Sequence, residues 1–313
     1  MGHCIRLYLS SLVLLSAFVA EAQAHTPADG APLAGWHWRP DVLLVLGLLG
    51  TVYARGWLRL RRRSARAVSP RGLVLYVGAL GALVLALISP IDALSSSRFS
   101  IHMVQHLLLV MLAPLFLLLA NPLAVFLWGL PSGARRSFGR LLRRGSRGRS
   151  LLRMATAMPV TWALYVVNLW VWHHPYLYQR ALREGWFHDL EHLLFFLTAV
   201  LFWWPVVNPA PRLRGAPSYG VRIAYLVAAT LQNTLLGMAI SLPDRVLYPY
   251  YEALPGLKEL SPIHDQALGG GIMWVSGHMY LIPILFLVAG LLGWEEEILA
   301  RRQSRGAIIR VRE

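Results

Sequence analysis

The sequence predicts an all-α integral membrane protein built as a seven-transmembrane helix bundle. Hydrophobic residues make up 56% of its 313 residues and charged residues only 14%, against about 25% charged residues in soluble domains. Apolar runs long enough to cross a hydrocarbon core of about 30 Å recur seven times. Because lipid offers the backbone no hydrogen-bond partners, such spans are expected to be helical. A water-soluble globular fold does not fit this composition.

The N-terminal residues have the pattern of a signal peptide. Arg6 precedes a short apolar stretch, and Ala22-Gln23-Ala24 supplies the small residues of a cleavage site. We therefore expect residues 1–24 to be removed together with Cys4, the single cysteine. An uncleaved first helix is the alternative. Because this cysteine lies within the first few residues, disulfide frameworks, cysteine-based zinc sites and thiolate catalysis are excluded for the rest of the chain.

The transmembrane domain is predicted over residues 25–294, followed by a basic cytoplasmic tail over residues 295–313. The seven spans are placed near residues 41–58, 72–91, 101–120, 155–172, 187–205, 221–242 and 267–293. The first span is the weakest, because Asp41 and Arg55 shorten its apolar run. Residues 132–150, rich in Arg, Gly and Ser, are expected to form a solvated loop that contacts anionic lipid headgroups.

The distribution of cations predicts the orientation of the bundle. Of the 30 Lys and Arg residues, 23 fall in alternate loops and in the C-terminal tail, on one side of the predicted spans. The positive-inside rule therefore predicts the N-terminus outside and the C-terminus in the cytoplasm. The arginines lie in runs between apolar stretches and form no face for base readout, so we expect no binding to nucleic acid.

Histidines are concentrated on the predicted outer side, where ten of the eleven fall. Two pairs have i, i+4 spacing, His102 with His106 and His188 with His192. On a helix, the two imidazoles of such a pair lie on one face. Because both pairs begin helices that run inward, we expect them at similar depth, where they predict a semi-exposed metal or haem site.

Four further residues are candidates for the same site. His278, inside the seventh span, is included because of its placement. Asp189 and Glu191 flank the second histidine pair, and Asp265 opens the seventh helix. These carboxylates are either acceptors that fix imidazole tautomers or charges that a helix dipole favours.

The donor types leave more than one metal open. Histidine and methionine ligands suit copper, whereas histidine and carboxylate alone would also suit zinc, and the affinity order favours copper. Haem is the alternative, because four histidines on two helices could supply two axial pairs. The predicted spans carry no charged residue at mid-depth, which disfavours a transporter. No Ser/His/Asp set is placed by spacing, and we do not expect an enzyme.

Several ordered motifs, over roughly residues 36–294, resemble the CtaG family of multi-span cytochrome c oxidase assembly proteins. They are His102-Met103-Val104-Gln105-His106, Pro114, Asn121-Pro122, Trp172-His173-His174-Pro175, Tyr178, His188-Asp189-Leu190-Glu191-His192, Phe202-Trp203-Trp204-Pro205, Asp265-Gln266 and Gly269-Gly270-Gly271-Ile272-Met273-Trp274.

This resemblance implies a multi-pass protein of the bacterial plasma (inner) membrane that acts in respiratory-chain assembly as a metallochaperone. It would bind copper and promote copper insertion into its partner, the catalytic subunit of a haem-copper oxidase, after receiving the ion from a periplasmic copper donor. The family positions carried over are His102, His106, His174, His188, His192, Asp265 and Gln266. A haem-binding membrane redox protein is the alternative function.

Overall fold

The computed structural model describes residues 36–64, 68–254 and 260–293, together with residue 297. Its regular elements are all helices, and it has no strand in that part of the chain. The all-helical fold predicted from the sequence is therefore confirmed there. The predicted signal peptide, residues 1–24, and the predicted tail, apart from residue 297, lie outside the described residues.

Seven long helices correspond in order to the seven predicted spans. They are α1 (Pro40–Arg63), α2 (Pro70–Ser95), α3 (Phe99–Leu119), α4 (Met158–Trp172), α5 (Gly185–Val207), α6 (Tyr219–Ser241) and α7 (Pro262–Gly293). Six are long and apolar enough by themselves to cross a membrane. The exception, α4, makes a seventh span only together with the helix before it, Arg147–Ala155, which it meets at an angle of 60°.

Breaks and short helices complete the described chain. α2 is interrupted between Leu87 and Pro90, and the regular helix at the start of α7 ends at His278. The short helices are Leu123–Gly129, Ser132–Leu141, Arg147–Ala155 and Pro175–Arg183.

The residues predicted as the loop 132–150 are largely helical, which corrects that expectation. Each of the two helices here carries an exposed apolar pair, Phe138 with Leu141 and Leu151 with Met154, beside its arginines. An amphipathic helix of this kind is stable at a lipid surface, where its apolar side is buried in the interface.

Alternation of the long helices gives the bundle two different ends. The end of α4 and the starts of α3, α5 and α7 form what we call the histidine end. The runs of arginine lie at the opposite end, after α1 and before α4 and α6. The structure therefore places the two histidine pairs at the same end of the bundle, as the sequence predicts.

α3 is the most buried of the long helices, and it contains a π-helical turn at Leu108–Leu112 just below the histidine end. The cause is Pro114, which has no N–H to donate to the carbonyl of Val110, four residues earlier. The indole N–H of Trp203 on α5 donates to that carbonyl instead, at 3.0 Å. The irregular turn is thus satisfied by a neighbouring helix and positions the segment that carries His106.

Glycines allow α3, α6 and α7 to approach closely. A Cβ at Gly270 would lie 2.7 Å from the backbone nitrogen of Ser241 and 2.8 Å from the carbonyl oxygen of Gly237. A Cβ at Gly269 would collide with the ring of Phe99 on α3. Gly269 and Gly270 therefore permit the close packing of these helices, whereas Gly271 faces open space.

Candidate metal centre

The two histidine pairs predicted from the sequence meet inside the histidine end. The ring centroid of His102 lies 5.2 Å from that of His188 and 5.8 Å from that of His192, and the rings of His106 and His192 are 5.4 Å apart. All four side chains are buried. The i, i+4 spacing works as expected, because α3 and α5 pack with these faces toward each other.

Four side chains can direct one donor atom each to a common point. They are His102, His106, Glu191 and His192, whose donor atoms lie within 4.8 Å of one another. We call His102, His106, Glu191 and His192 the His/Glu group. His188 flanks this group, with its ring centroid 4.0 Å from that of His192. Three imidazoles and one carboxylate form a ligand set that binds divalent transition metals.

Glu191 is the most informative member of the group. Its side chain is fully buried, and neither carboxylate oxygen has a hydrogen-bond partner among the residues that the structure describes. Its Oε1 atom lies 3.8 Å from the Nε2 atom of His106. A buried carboxylate without donors is costly unless a cation compensates it. The environment of Glu191 therefore fits a bound metal ion.

His106 points to the same chemistry. Neither ring nitrogen of His106 has a hydrogen-bond partner within the described ranges, although its side chain is almost completely buried. An unsatisfied buried polar group costs about 1–3 kcal/mol. Coordination of a metal ion would satisfy one of the two nitrogens.

The fourth span contributes His173 to this region, whereas the residue predicted from the family motif was His174. His173 is buried, with its ring 5.7 Å from that of His106, and its Nδ1 atom donates to the carbonyl of Leu169 at 2.7 Å. His174 is exposed, because it has left the helix and its backbone is extended before Pro175. Tyr165 and Leu169 lie on the buried face of α4, and His173 follows Leu169 by four residues on the same face. This spacing could have identified His173 from the sequence.

Two tyrosine hydroxyls engage the Nδ1 atom of His102. The hydroxyl of Tyr178 lies 2.9 Å from His102 Nδ1 and 3.0 Å from the hydroxyl of Tyr251, which donates to the carbonyl of Ser95. Burial raises the pKa of both tyrosines well above its ordinary value, so both phenols keep their protons. The hydroxyl of Tyr251 also lies 3.3 Å from His102 Nδ1, so both phenols contact this nitrogen. A metal ion would therefore bind at Nε2, with the proton of the ring on Nδ1 and donated to a phenol oxygen.

The same tyrosines explain why the centre is buried and not semi-exposed as expected. Tyr178 belongs to the short helix Pro175–Arg183, and Tyr251 belongs to the segment between α6 and α7. Both connections fold over the histidine end, where the hydroxyl of Tyr248 also donates to the carbonyl of His173 at 2.9 Å. The spacing of the histidines carries no information about these covering segments.

Asp265 and Gln266 hold helix ends and loops in place. Asp265 accepts hydrogen bonds from the backbone N–H of Phe99, at 2.6 Å, and from the hydroxyl of Ser100. Its charge therefore lies at the start of α3, where the helix dipole favours it. Gln266 accepts from the N–H of Leu247 and donates to the carbonyl of Ile240. Both residues support the elements around the centre.

The segment before α1 is tied to the same end by two ion pairs. Arg39 donates to Asp189, which raises the pKa of the guanidinium further. His37 bonds Asp92, and this hydrogen bond raises the pKa of His37 above its ordinary value. Asp92 also accepts from Gln105, the neighbour of His106, at 2.8 Å. Asp189 thus joins the N-terminal segment to α5.

His278 and His264 lie apart from the His/Glu group. His278 is exposed, and its Nδ1 atom lies 3.1 Å from the carbonyl of Trp274, one turn earlier on α7. His264 bonds the capping residue Ser261. The inclusion of His278 depended on its depth along the seventh span, and depth does not determine which face of a helix a residue occupies.

Comparisons with known proteins agree with these features. Uncharacterized proteins of Mycobacterium bovis and Mycobacterium tuberculosis are each 30% identical to this chain over 285 residues, which cover 86% of this chain and 41% of theirs. An uncharacterized protein of Mycobacterium leprae is 27% identical over 284 residues, with the same coverage. The chain thus spans less than half the length of these curated relatives. No solved structure matches the chain.

A family model places the chain more specifically. Residues 51–294, which include α2 to α7 and every member of the His/Glu group, match the model of the cytochrome c oxidase caa3 assembly factor. The resemblance drawn from the sequence motifs is therefore confirmed. This chain belongs to the Caa3_CtaG family of cytochrome c oxidase assembly factors.

Proposed function

We propose that this protein binds copper in the His/Glu group and promotes copper insertion into the catalytic subunit of a haem-copper oxidase, without catalysing a reaction itself. The oxidase subunit and a periplasmic copper donor are its partners in this proposal. The protein lies in the bacterial plasma membrane, with the histidine end on the outer side, where a periplasmic donor can deliver the ion.

One observation carries the proposal. Glu191 is a fully buried carboxylate among three buried imidazoles, with donor atoms within 4.8 Å of one another. Buried charges in proteins are paired or coordinate metals. A bound ion would compensate the carboxylate and satisfy His106 at the same time.

Two considerations favour copper. Three imidazole nitrogens bind Cu(II) more tightly than Zn(II) by the general affinity order of divalent metals. Two methionines, Met103 and Met111, line the same cavity as His106. Soft ligands of that type select Cu(I).

The size of the cavity favours an ion over haem. The cavity beside His106 offers about 20 Å³ to the centre of a water-sized sphere, little more than the roughly 10–15 Å³ that one water molecule requires. A porphyrin would need a slot many times larger between the helices. The size of the cavity therefore disfavours the haem alternative.

The test is metal analysis of detergent-purified protein after loading with copper, zinc or both. We expect copper in the wild type when both metals compete, and a loss of that copper in a Glu191→Gln variant, which keeps the shape of the side chain. His264→Ala is the matched control, because His264 is at the same end but outside the group. Wild-type protein that takes up no copper, or prefers zinc in the competition, would contradict the proposal.

A further inference from the structure

A cavity lined by methionines lies directly below the His/Glu group. On α3, Met103, His106 and Val110 follow one another at helical spacing, and Met111, in the π-helical turn, lines the same cavity. From His106 to Met111 the helix descends by about 7.5 Å. α7 contributes Met273 to the same cavity. The cavity thus extends from the group toward the interior of the bundle.

The sulfur atoms here belong to well-buried side chains. Met103, Met111 and Met273 are 2%, 5% and 7% exposed. Methionine is common as a space-filling residue in protein cores, so its presence alone does not indicate a ligand. The three methionines, together with the other lining residues, border a space of about 20 Å³ that no side chain fills.

Imidazole nitrogen reaches the same cavity from two helices. His173 on α4 and His106 on α3 both line it. The Nδ1 atom of His173 is engaged by the carbonyl of Leu169 at 2.7 Å. Its Nε2 atom is buried and has no hydrogen-bond partner in the described part of the chain. With its proton on Nδ1, His173 presents a lone pair on Nε2.

The polar groups around the cavity are bonded to one another. The hydroxyls of Tyr165 and Tyr280 lie 2.7 Å apart. The amide nitrogen of Asn233 and the hydroxyl of Ser276 both donate to the carbonyl of Met273, at 2.6 and 2.8 Å. The lining therefore combines an internally bonded polar wall with thioethers and imidazole nitrogen.

We propose that this cavity is a second metal site, specific for a soft monovalent ion such as Cu(I) and held by His173 together with the thioethers of Met103, Met111 and Met273. Thioethers prefer Cu(I) to harder divalent ions, and the cavity has room for a single ion. The inference rests on the proposed function, because His106 borders both sites and would allow an ion to pass from one to the other. No change of oxidation state is required when copper arrives as Cu(I).

Silver provides a redox-inert probe for this site. The full-length protein in detergent is loaded with Ag(I) in the presence of a competing weak ligand, and bound silver is counted per chain. We expect two ions in the wild type and one in a Met103→Leu/Met111→Leu variant, since Leu replaces Met with little change in volume. A Met238→Leu/Met279→Leu variant, which changes two methionines outside the cavity, should still bind two.

Two further measurements separate this inference from the proposed function. A His102→Ala/His192→Ala variant should lose one silver ion and keep the other, and that remaining ion should show sulfur neighbours in X-ray absorption. Zinc binding should be unchanged in the Met103→Leu/Met111→Leu variant, which also confirms that this variant is folded. One silver ion in both the wild type and that variant would overturn the second site and leave the His/Glu group in place. A wild type without silver or copper would overturn the proposed function.

Discussion

The hydroxyl of Tyr178 lies 2.9 Å from the Nδ1 atom of His102, and it is the first step of a hydrogen-bond chain that ends on a backbone carbonyl. Because this hydroxyl engages Nδ1, the Nε2 atom of His102 is the nitrogen that can meet a metal ion. The tyrosine therefore orients the imidazole, although it lies outside the ligand set. Such partners commonly influence affinity as strongly as some ligands do.

Replacing Tyr178 by Phe should weaken metal binding without removing a ligand. The variant loses the bond that orients His102, and we expect the dissociation constant for copper to rise by about 10- to 100-fold. Isothermal or competition titration of purified protein measures this change. Tyr176→Phe is the control, because Tyr176 is exposed on the same short helix. Equal affinities for the two variants would show that the chain of hydrogen bonds does not act on the centre.

Glu191→Gln should impair oxidase assembly in cells. The change removes the buried charge that we expect to compensate the ion, so oxidase activity and the copper content of the oxidase should fall at least several-fold while this protein stays in the membrane. Glu184→Gln, at a half-exposed carboxylate that pairs with Arg180, should leave both values unchanged. Normal oxidase in the Glu191→Gln strain would separate the His/Glu group from the assembly function.

Trp203→Phe should destabilise the bundle. The carbonyl of Val110 would lose its hydrogen bond from the indole of Trp203, and the loss of one intramolecular hydrogen bond costs about 0.5–1.5 kcal/mol. The same substitution at Trp204, whose indole nitrogen has no partner in the described part of the chain, loses a similar volume but no hydrogen bond. Thermal unfolding in detergent should therefore give a clearly lower midpoint for Trp203→Phe than for Trp204→Phe.

Gly270→Ala and Gly271→Ala form a matched pair on α7. The added methyl group at Gly270 would lie under 3 Å from backbone atoms of α6, and neither helix can move without disturbing Gly237 and Ser241. At Gly271 the methyl group meets open space, and alanine gains up to about 1 kcal/mol of helix propensity. We expect a loss of folded protein for Gly270→Ala and unchanged or improved stability for Gly271→Ala. Similar stabilities would mean that α6 and α7 do not pack through this contact.

How far the sequence predicts the centre depends on the kind of information each residue needs. Helical periodicity alone places His102 with His106 and His188 with His192, because each pair lies within one regular helix. It does not decide between His173 and His174, since that choice depends on where α4 ends before Pro175. The role of Asp265 at the start of α3 cannot be predicted from the sequence, because Asp265 contacts Phe99, which lies 166 positions away along the chain. Tertiary packing, and not local pattern, determines such contacts.

The ion pair of His37 with Asp92 predicts a pH dependence of stability. The hydrogen bond with Asp92 raises the pKa of His37 above 6.5, so the folded protein binds this proton more tightly than the unfolded chain does. The stabilisation is therefore complete below pH 6.5 and is lost as the pH rises through the raised pKa of the folded state. His37 is 32% exposed, so the effect should stay below about 1 kcal/mol. Unfolding midpoints of the wild type and His37→Gln should differ at pH 6 and converge at pH 9, and a difference that grows with pH would contradict this pairing.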